Sequence, residues 1–223
     1  QISDVHAGWV DDDYIIETFK RVTALRPDIV VMTGDFITYR PRVFEHVTRV
    51  YRHFPRGRLA TLGIPGNHDY GPGWAHPHVA KQVVDAVTPF GIRVLRNELV
   101  DVNGLQIVGL DDLWGGAFDA EKVLPTIDQN RASIVLSHNP DTADLPVWDG
   151  YYGWILAGHT HGGQCKPPFL APPILPVKNE RYTAGEFALS GRRRMYINRG
   201  VGHLLHVRFN VRPEVTVFEL KRA

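Results

Sequence analysis

The chain has 223 residues, of which 43% are hydrophobic and 22% are charged, and it contains one cysteine. This composition is that of a globular protein, and it excludes a disordered chain, a collagen and a small domain held by internal disulfides. The 25 basic and 24 acidic residues leave a net charge of +1, which argues against a protein built mainly to bind nucleic acid. No apolar run approaches the roughly 18 residues that a transmembrane helix needs.

The first part of the chain alternates between strand patterns and helix patterns. Short apolar runs of strand length occur at 29–32, 59–62 and 134–136. Apolar residues recur at spacings of three and four over 15–25, 43–54 and 79–90. This alternation predicts an α/β fold with a largely parallel central sheet.

The later part of the chain is richer in strand patterns. Asn103-Gly104 predicts a tight turn between strands at 98–102 and 105–110. Further strands are predicted at 194–198, 204–210 and 215–220. We therefore expect a second sheet packed on the first, within a single domain that covers residues 1–223.

The N-terminus is unusually short for the strand that it predicts. Only three residues precede Asp4, so we expect the chain to begin inside its first strand and upstream residues to be missing. Whether those residues include a signal or an anchor stays open. With such a segment, the protein would be membrane-associated or belong to the cell envelope. Without one, it would be cytoplasmic.

Five segments place polar side chains directly after an apolar run. They are 2–6, 31–35, 62–69, 135–138 and 155–161. In open α/β sheets, ligands bind outside the carboxyl ends of the strands. We therefore expect these five ends to converge on one crevice.

The side chains at these ends have the types and spacings of metal ligands. Asp4 and His6 are two residues apart, as are His159 and His161, so each pair points the same way in extended chain. The full set is Asp4, His6, Asp35, Asn67, His138, His159 and His161. Seven groups are too many for one tetrahedral ion and suit two ions that share a carboxylate. Nitrogen and oxygen donors without a thiolate favour manganese, iron, zinc, nickel or cobalt over calcium and magnesium.

Each motif alone also has a structural explanation, as an exposed pair, a core histidine or a turn. Burying the whole set unpaired at strand ends is costly, however, and stability gives no reason to gather these residues there. The combination therefore favours a functional site over a structural one.

In this order, the motifs resemble the signature of the calcineurin-like metallophosphoesterases. That signature is Asp-x-His, Gly-Asp, Gly-Asn-His-Asp, His and Gly-His-x-His, and all five elements occur between residues 4 and 161. The resemblance extends over essentially the whole chain and is closest to a bacterial phosphodiesterase branch that includes hydrolases of UDP-diacylglucosamine. It implies a β-sandwich of two mixed sheets flanked by helices.

The resemblance also implies a role for each motif residue. The first ion would be held by Asp4, His6, Asp35 and His161, and the second by Asp35, Asn67, His138 and His159. Asp35 would bridge two divalent ions, with manganese expected and zinc, iron, nickel or cobalt as alternatives. A hydroxide between the ions would attack phosphorus. His68 would donate a proton to the leaving group, with Asp69 orienting its ring.

The implied reaction is hydrolysis of a phosphodiester or pyrophosphate bond in a small or lipid-linked substrate. Thr38 stands where phosphoprotein phosphatases carry an aspartate and purple acid phosphatases a tyrosine, so both activities are disfavoured. Two alternatives remain open at this point: a non-catalytic scaffold with the same fold, and a nuclease of the same superfamily. We expect a monomer that does not bind nucleic acid.

The proline-rich segment 166–176 begins five residues after His161 and should border the site as an extended loop. Its apolar side chains either seat an acyl chain or a membrane surface, or pack down as a lid. Trp114 is either a wall of the pocket or a core aromatic. His203 follows a glycine-rich turn and is a further candidate neighbour of the site.

Overall fold

A computed structural model describes residues 1–221, and in that range the chain forms four α-helices and nine strands. The helices are α1 (Asp12–Ala24), α2 (Val43–Tyr51), α3 (Pro77–Val87) and the short α4 (Ala120–Val123). The strands are β1 (Ile29–Thr33), β2 (Ala60–Ile64), β3 (Arg93–Val94), β4 (Glu98–Val102), β5 (Leu105–Gly109), β6 (Ser133–Leu136), β7 (Trp154–Ala157), β8 (Gly185–Ala188) and β9 (Arg194–Ile197).

The strands form two sheets. The first has the order β1-β2-β3 and is parallel, with Ile29 opposite Ala60, and the N-terminal segment joins its edge through a parallel bridge from Ile2 to Met32. The second has the order β4-β5-β6-β7-β9-β8 and is mixed, because its four central strands are parallel and its two edge strands antiparallel. The predicted α/β sandwich is confirmed.

Apolar side chains on both faces of each sheet hold the layers together. Leu62 and Ile64 of the first sheet pack against Ile107 and Leu136 of the second, which forms the core between the sheets. Helices α1, α2 and α3 cover the outer face of the first sheet, while α4 and neighbouring turns cover the outer face of the second. The result is a layered α/β/β/α arrangement.

Helix α1 shows how local sequence produces these layers. The Asp11 side chain accepts a hydrogen bond from the Tyr14 backbone N–H at 2.8 Å and so caps the first turn. Ile15, Phe19 and Val22 follow at helical spacing and are buried against the sheet. The three helices predicted from the sequence are confirmed.

Two of the predicted strands are wrong. Within residues 1–221, the segment 204–210 forms only an isolated β-bridge, between Cys165 and Phe209. The carbonyl oxygens of Leu205 and Val207 accept hydrogen bonds from the Gln164 side chain, and not from the backbone of a neighbouring strand. The segment 215–220 has no regular secondary structure and belongs to neither sheet, and the Thr216 N–H donates to the Gln1 carbonyl oxygen.

None of the helices within residues 1–221 combines the length and the hydrophobicity needed to cross a bilayer.

Candidate metal centre

The seven predicted metal ligands meet at the carboxyl ends of strands from both sheets. Asp35 follows β1, Asn67 follows β2, His138 follows β6, and the pair His159 and His161 follows β7. Asp4 and His6 reach the same place from the N-terminal segment. None of the seven is more than 4% exposed, so the group is buried between the loops that carry it.

Four of these side chains form a first group, made of Asp4, His6, Asp35 and His161. One potential ligand atom from each lies within 4.8 Å of the others. The two Nε2 atoms of His6 and His161 are 3.0 Å apart, and Nε2 of His161 is 3.4 Å from Oδ1 of Asp4. Thr38 does not join the group, since its hydroxyl lies 2.9 Å from Nδ1 of His6, the ring nitrogen on the other side.

A second group contains Asp35, His138 and His159, with ligand atoms again within 4.8 Å of one another. Oδ1 of Asn67 lies 3.1 Å from Nε2 of His138 and 2.9 Å from Nδ1 of His159. Oδ2 of Asp35 is 3.3 Å from Nε2 of His138 and 3.6 Å from Nε2 of His6. A single carboxylate oxygen therefore faces both groups.

The second group has the donor pattern of a cation site. His138 donates from Nδ1 to the Thr33 carbonyl oxygen at 2.7 Å, and His159 from Nε2 to the Pro176 carbonyl oxygen at 2.8 Å. In the neutral rings, the opposite nitrogens then carry lone pairs, and these face each other at 3.3 Å beside the Asn67 oxygen. Once His138 has lost its additional proton, these acceptors converge without a hydrogen between them, and such a set fits a divalent transition metal.

Burial dominates the electrostatics of the site. It raises the pKa of Asp4 to about 7, and it lowers the pKa of His6 and of His159 to about 3. Burial alone would also lower the pKa of His138, but the Asp35 carboxylate raises it to about 10. Burial would conversely raise the pKa of Asp35, and the neighbouring charge of His138 holds it well below its ordinary range.

Two glycines let the ligands approach the backbone. Gly34 has φ +90°, and a Cβ there would lie 2.3 Å from Nδ1 of His138. A Cβ on Gly66 would lie 2.3 Å from Oδ1 of Asp35. Side chains at these positions would displace the ligands, which explains the glycine before each of these two motifs.

His68 lies at the boundary of the group and is half-buried. Its backbone N–H donates to Oδ1 of Asp35 at 2.9 Å, and its ring stands edge-on to His6 with centroids 4.9 Å apart. The predicted contact with Asp69 is wrong, because the Asp69 carboxylate accepts the backbone N–H groups of Gly66 and Ile37 at 2.8 and 3.1 Å. No hydrogen bond joins it to the His68 ring within residues 1–221. Asp69 therefore holds the turn on which His68 lies, and it does not contact the imidazole ring.

Trp114 forms a wall of the site, with its ring edge-on to His159 at a centroid distance of 4.5 Å. Sequence reasoning missed its neighbour Trp74, which has no motif around it. It also missed Arg208, whose Nη2 lies 3.2 Å from Nδ1 of His161 and donates to the Arg199 carbonyl oxygen at 2.9 Å. Arg208 falls within one of the wrongly predicted strands, so the sequence carried no signal for it. Burial lowers the pKa of the His6 ring, and the charge of His203 makes a smaller contribution in the same direction.

The segment 166–176 borders the site without helix or strand, as predicted. Its last residue, Pro176, accepts the His159 hydrogen bond described above. Phe169, Leu170 and Ile174 are exposed and do not pack down as a lid.

Residues 1–163 match the family model of the calcineurin-like phosphoesterases. The chain belongs to the calcineurin-like phosphoesterase family. The predicted resemblance is thereby confirmed, and the chain is a metal-dependent phosphohydrolase of this family.

Curated members of the calcineurin-like family are similar over most of their length. The metallophosphoesterase YkuE of Bacillus subtilis is 37% identical over 99% of this chain and 78% of its own length. The phosphodiesterase YaeI of Escherichia coli is 35% identical over 87% of this chain and 71% of its own length. The UDP-2,3-diacylglucosamine pyrophosphatase LpxG of Chlamydia trachomatis is 26% identical over 96% of this chain and 80% of its own length.

Proposed function

We propose that the protein hydrolyses a phosphodiester or pyrophosphate bond with the help of two divalent transition-metal ions, manganese being the expected metal. The observation that carries this proposal is Oδ2 of Asp35, which faces a ligand nitrogen in each of the two buried groups. A carboxylate oxygen shared in this way is what two neighbouring cations require. The names of YaeI and LpxG, a phosphodiesterase and a pyrophosphatase, support the class of bond.

The two groups would divide the ligands as follows. The first ion would be held by Asp4, His6, Asp35 and His161, and the second by Asp35, Asn67, His138 and His159. When bound, two such ions supply charge neutralisation for the phosphoryl oxygens and activation of water for attack on phosphorus. Thr33 and Pro176 fix the ring orientations of His138 and His159 through their carbonyl oxygens.

His68 would donate a proton to the leaving oxygen. Its backbone is tied to the bridging carboxylate of Asp35, while its half-buried ring remains accessible from the mouth of the site. The hydrogen bonds from Gly66 and Ile37 to Asp69 hold the same turn rigid. A positioned imidazole of this kind supplies general acid catalysis.

The first test counts metal ions and measures turnover of bis-p-nitrophenyl phosphate. We expect two ions per chain in the manganese-reconstituted protein, loss of both ions and of activity in Asp35→Asn, and retention of one ion in His161→Ala. Asp85→Asn, an exposed carboxylate on α3, is the matched control and should retain both ions. A native protein that binds no metal and is inert would contradict the proposal and favour the scaffold alternative.

A substrate panel then separates the bond classes. Nucleotide diesters, glycerophosphodiesters and UDP-acylated sugars should be hydrolysed faster than simple monoesters. Rapid cleavage of oligonucleotides would instead identify the nuclease alternative, which the net charge of +1 disfavours.

We further propose that segment 166–176 receives the acyl part of a lipid-linked substrate or contacts a membrane surface. Phe169, Leu170 and Ile174 expose apolar side chains on a loop whose end contacts a proposed metal ligand. Apolar surface of this kind beside a polar site fits a substrate with one polar and one apolar end.

The double variant Phe169→Ser, Leu170→Ser tests this role. We expect kcat/KM for a long-chain acylated diester to fall about tenfold, because two apolar contacts are lost, while bis-p-nitrophenyl phosphate is turned over as before. Leu25→Ser is the matched control, since Leu25 is exposed beyond the last residue of α1 and before β1 begins, at the edge opposite the site. Equal losses for both substrates would argue against acyl binding.

A further inference from the structure

Two loops from different sheets meet beside the metal ligands and bring two tryptophans together. Trp74 lies on the loop after β2 and Trp114 on the loop after β5. Their rings stack with centroids 4.6 Å apart and planes inclined by 27°. Trp114 stands edge-on to His159, and the Trp74 ring centroid is 6.2 Å from that of His68. The pair therefore extends from the second metal group to the proposed proton donor.

A buried polar network fixes the two loops against each other. The Tyr70 hydroxyl donates to Oδ1 of Asp111 at 2.5 Å, which joins the loop of Trp74 to the loop of Trp114. Arg96 donates to Oδ2 of Asp111 at 2.6 Å and to the Tyr70 hydroxyl at 3.0 Å. Gly115 packs on the Tyr70 ring so closely that a Cβ there would lie 2.5 Å from a ring carbon. The stacked rings are thus held in a preset position.

The exposure and the backbone of Trp74 are unusual for a structural residue. The residue is 36% exposed beside a buried polar centre. Its φ is +56°, in the left-handed region that a bulky residue rarely adopts. Such strain persists only where the surroundings impose it, and it concentrates at functional sites. The network above would hold the loops together without a tryptophan at this position.

We propose that Trp74 and Trp114 form a stacking platform for a planar ring in the leaving group of the substrate. The platform lies on the same side of the site as His68. The inference rests on the proposed function, in which the leaving oxygen of the substrate is next to His68. Nucleoside and aryl esters carry a ring with a face that can stack on an indole, and aliphatic esters do not. The platform selects ring-bearing phosphoesters over aliphatic ones.

Two phosphonates that cannot be hydrolysed test the platform directly. Phenylphosphonate and methylphosphonate share the same metal-binding head and differ only in the ring. Calorimetry on the manganese-loaded protein should give phenylphosphonate a Kd about tenfold lower than that of methylphosphonate. Trp74→Ala should abolish this difference without weakening methylphosphonate binding, and Trp74→Phe should keep most of it.

The control is Tyr152→Ala, which removes an exposed aromatic ring two residues before β7, at the opposite edge of the sheet. It should leave both Kd values unchanged. Because Trp74 is partly exposed, its variants should fold, and their thermal unfolding midpoints verify this. Equal binding of the two phosphonates by the unmodified protein, or discrimination that survives in Trp74→Ala, overturns the platform alone. Absence of binding for both phosphonates overturns the platform and the proposed function together.

Discussion

At the scale of single residues, the two carboxylate oxygens of Asp35 have different partners. Oδ1 accepts the His68 backbone N–H, while Oδ2 faces ring nitrogens of His6 and His138. The residue that would hold both metals therefore also positions the turn of the proposed acid. This sharing links the geometry of the leaving-group side to that of the metal side.

His68→Ala tests the acid role without removing a proposed ligand. We expect kcat to fall about 10²- to 10⁴-fold for esters with poorly acidic alcohols, because these need a proton at the leaving oxygen. The loss should be smaller for p-nitrophenyl esters, whose leaving group departs without protonation. Metal content should stay at the unmodified level, and the exposed His53→Ala is the control. A loss of equal size for both kinds of ester would instead indicate a positioning role.

At the scale of elements, the turns that follow the strands determine whether ligands can converge. Gly66 follows β2 after a single proline, and the space that a Cβ would take there is filled by the Asp35 carboxylate and the His138 ring. The strand brings the turn to the sheet edge, and the missing side chain leaves room for ligands that come from β1 and β6.

Gly66→Ala should therefore damage the site more than the fold. The added Cβ would lie 2.3 Å from Oδ1 of Asp35 and 2.8 Å from Nε2 of His138, so both proposed ligands must move. We expect loss of at least one metal ion per chain and about a hundredfold lower kcat, by analogy with other misplaced catalytic groups. The control is Gly191→Asn in the turn between β8 and β9, where a Cβ meets nothing within 4 Å and where the left-handed φ of +68° is one that asparagine tolerates. Full metal binding by Gly66→Ala would contradict this account.

The positions of the candidate ligands were predictable from the sequence where those ligands directly follow a strand. Apolar runs followed by aspartate or histidine predict convergence, because parallel strands end at the same sheet edge. The contact between Trp74 and Trp114 was not predictable, since it depends on how two loops from different sheets pack. The strand predicted at 204–210 is wrong for a related reason. The Gln164 side chain donates to the carbonyl oxygens of Leu205 and Val207, which in a strand would accept from a neighbouring backbone.

At the scale of the whole molecule, the metal site joins the two sheets. Asp4 beside the first sheet accepts the backbone N–H of His159 from the second, at 3.0 and 3.1 Å. His138 from the second sheet donates to the Thr33 carbonyl oxygen at the end of the first. Metal binding should therefore stabilise the packing of the sheets as well as the site itself.

The metal-free protein should lose stability as the pH rises. The pKa of His138 is raised from 6.5 to about 10 in the folded chain, so the folded chain keeps a proton that the unfolded chain releases. The stabilisation is fully present below pH 6.5 and disappears as the pH approaches 10. Asp69, whose pKa burial raises to about 8, contributes in the same direction up to that pH.

Thermal unfolding with and without manganese measures this dependence. The midpoint of the chelator-treated protein should fall between pH 6.5 and 10, and it should fall less in the loaded protein, where the metal replaces the His138 proton. His138→Gln should show a shallower slope than the unmodified chain when both are metal-free. Parallel slopes for the loaded and the metal-free protein would contradict the assignment of His138 as a ligand.

The hydrogen bond from His159 to the Pro176 carbonyl oxygen connects the apolar segment 166–176 to the second metal group. This bond determines which ring nitrogen of His159 carries the proton and which is free for a cation. A molecule that bound to this segment and shifted Pro176 would therefore also change the affinity of the proposed site for its metal. By thermodynamic reciprocity, loading of the metal changes the affinity for that molecule by the same factor. Binding at the proposed metal centre and binding at segment 166–176 should therefore be thermodynamically coupled.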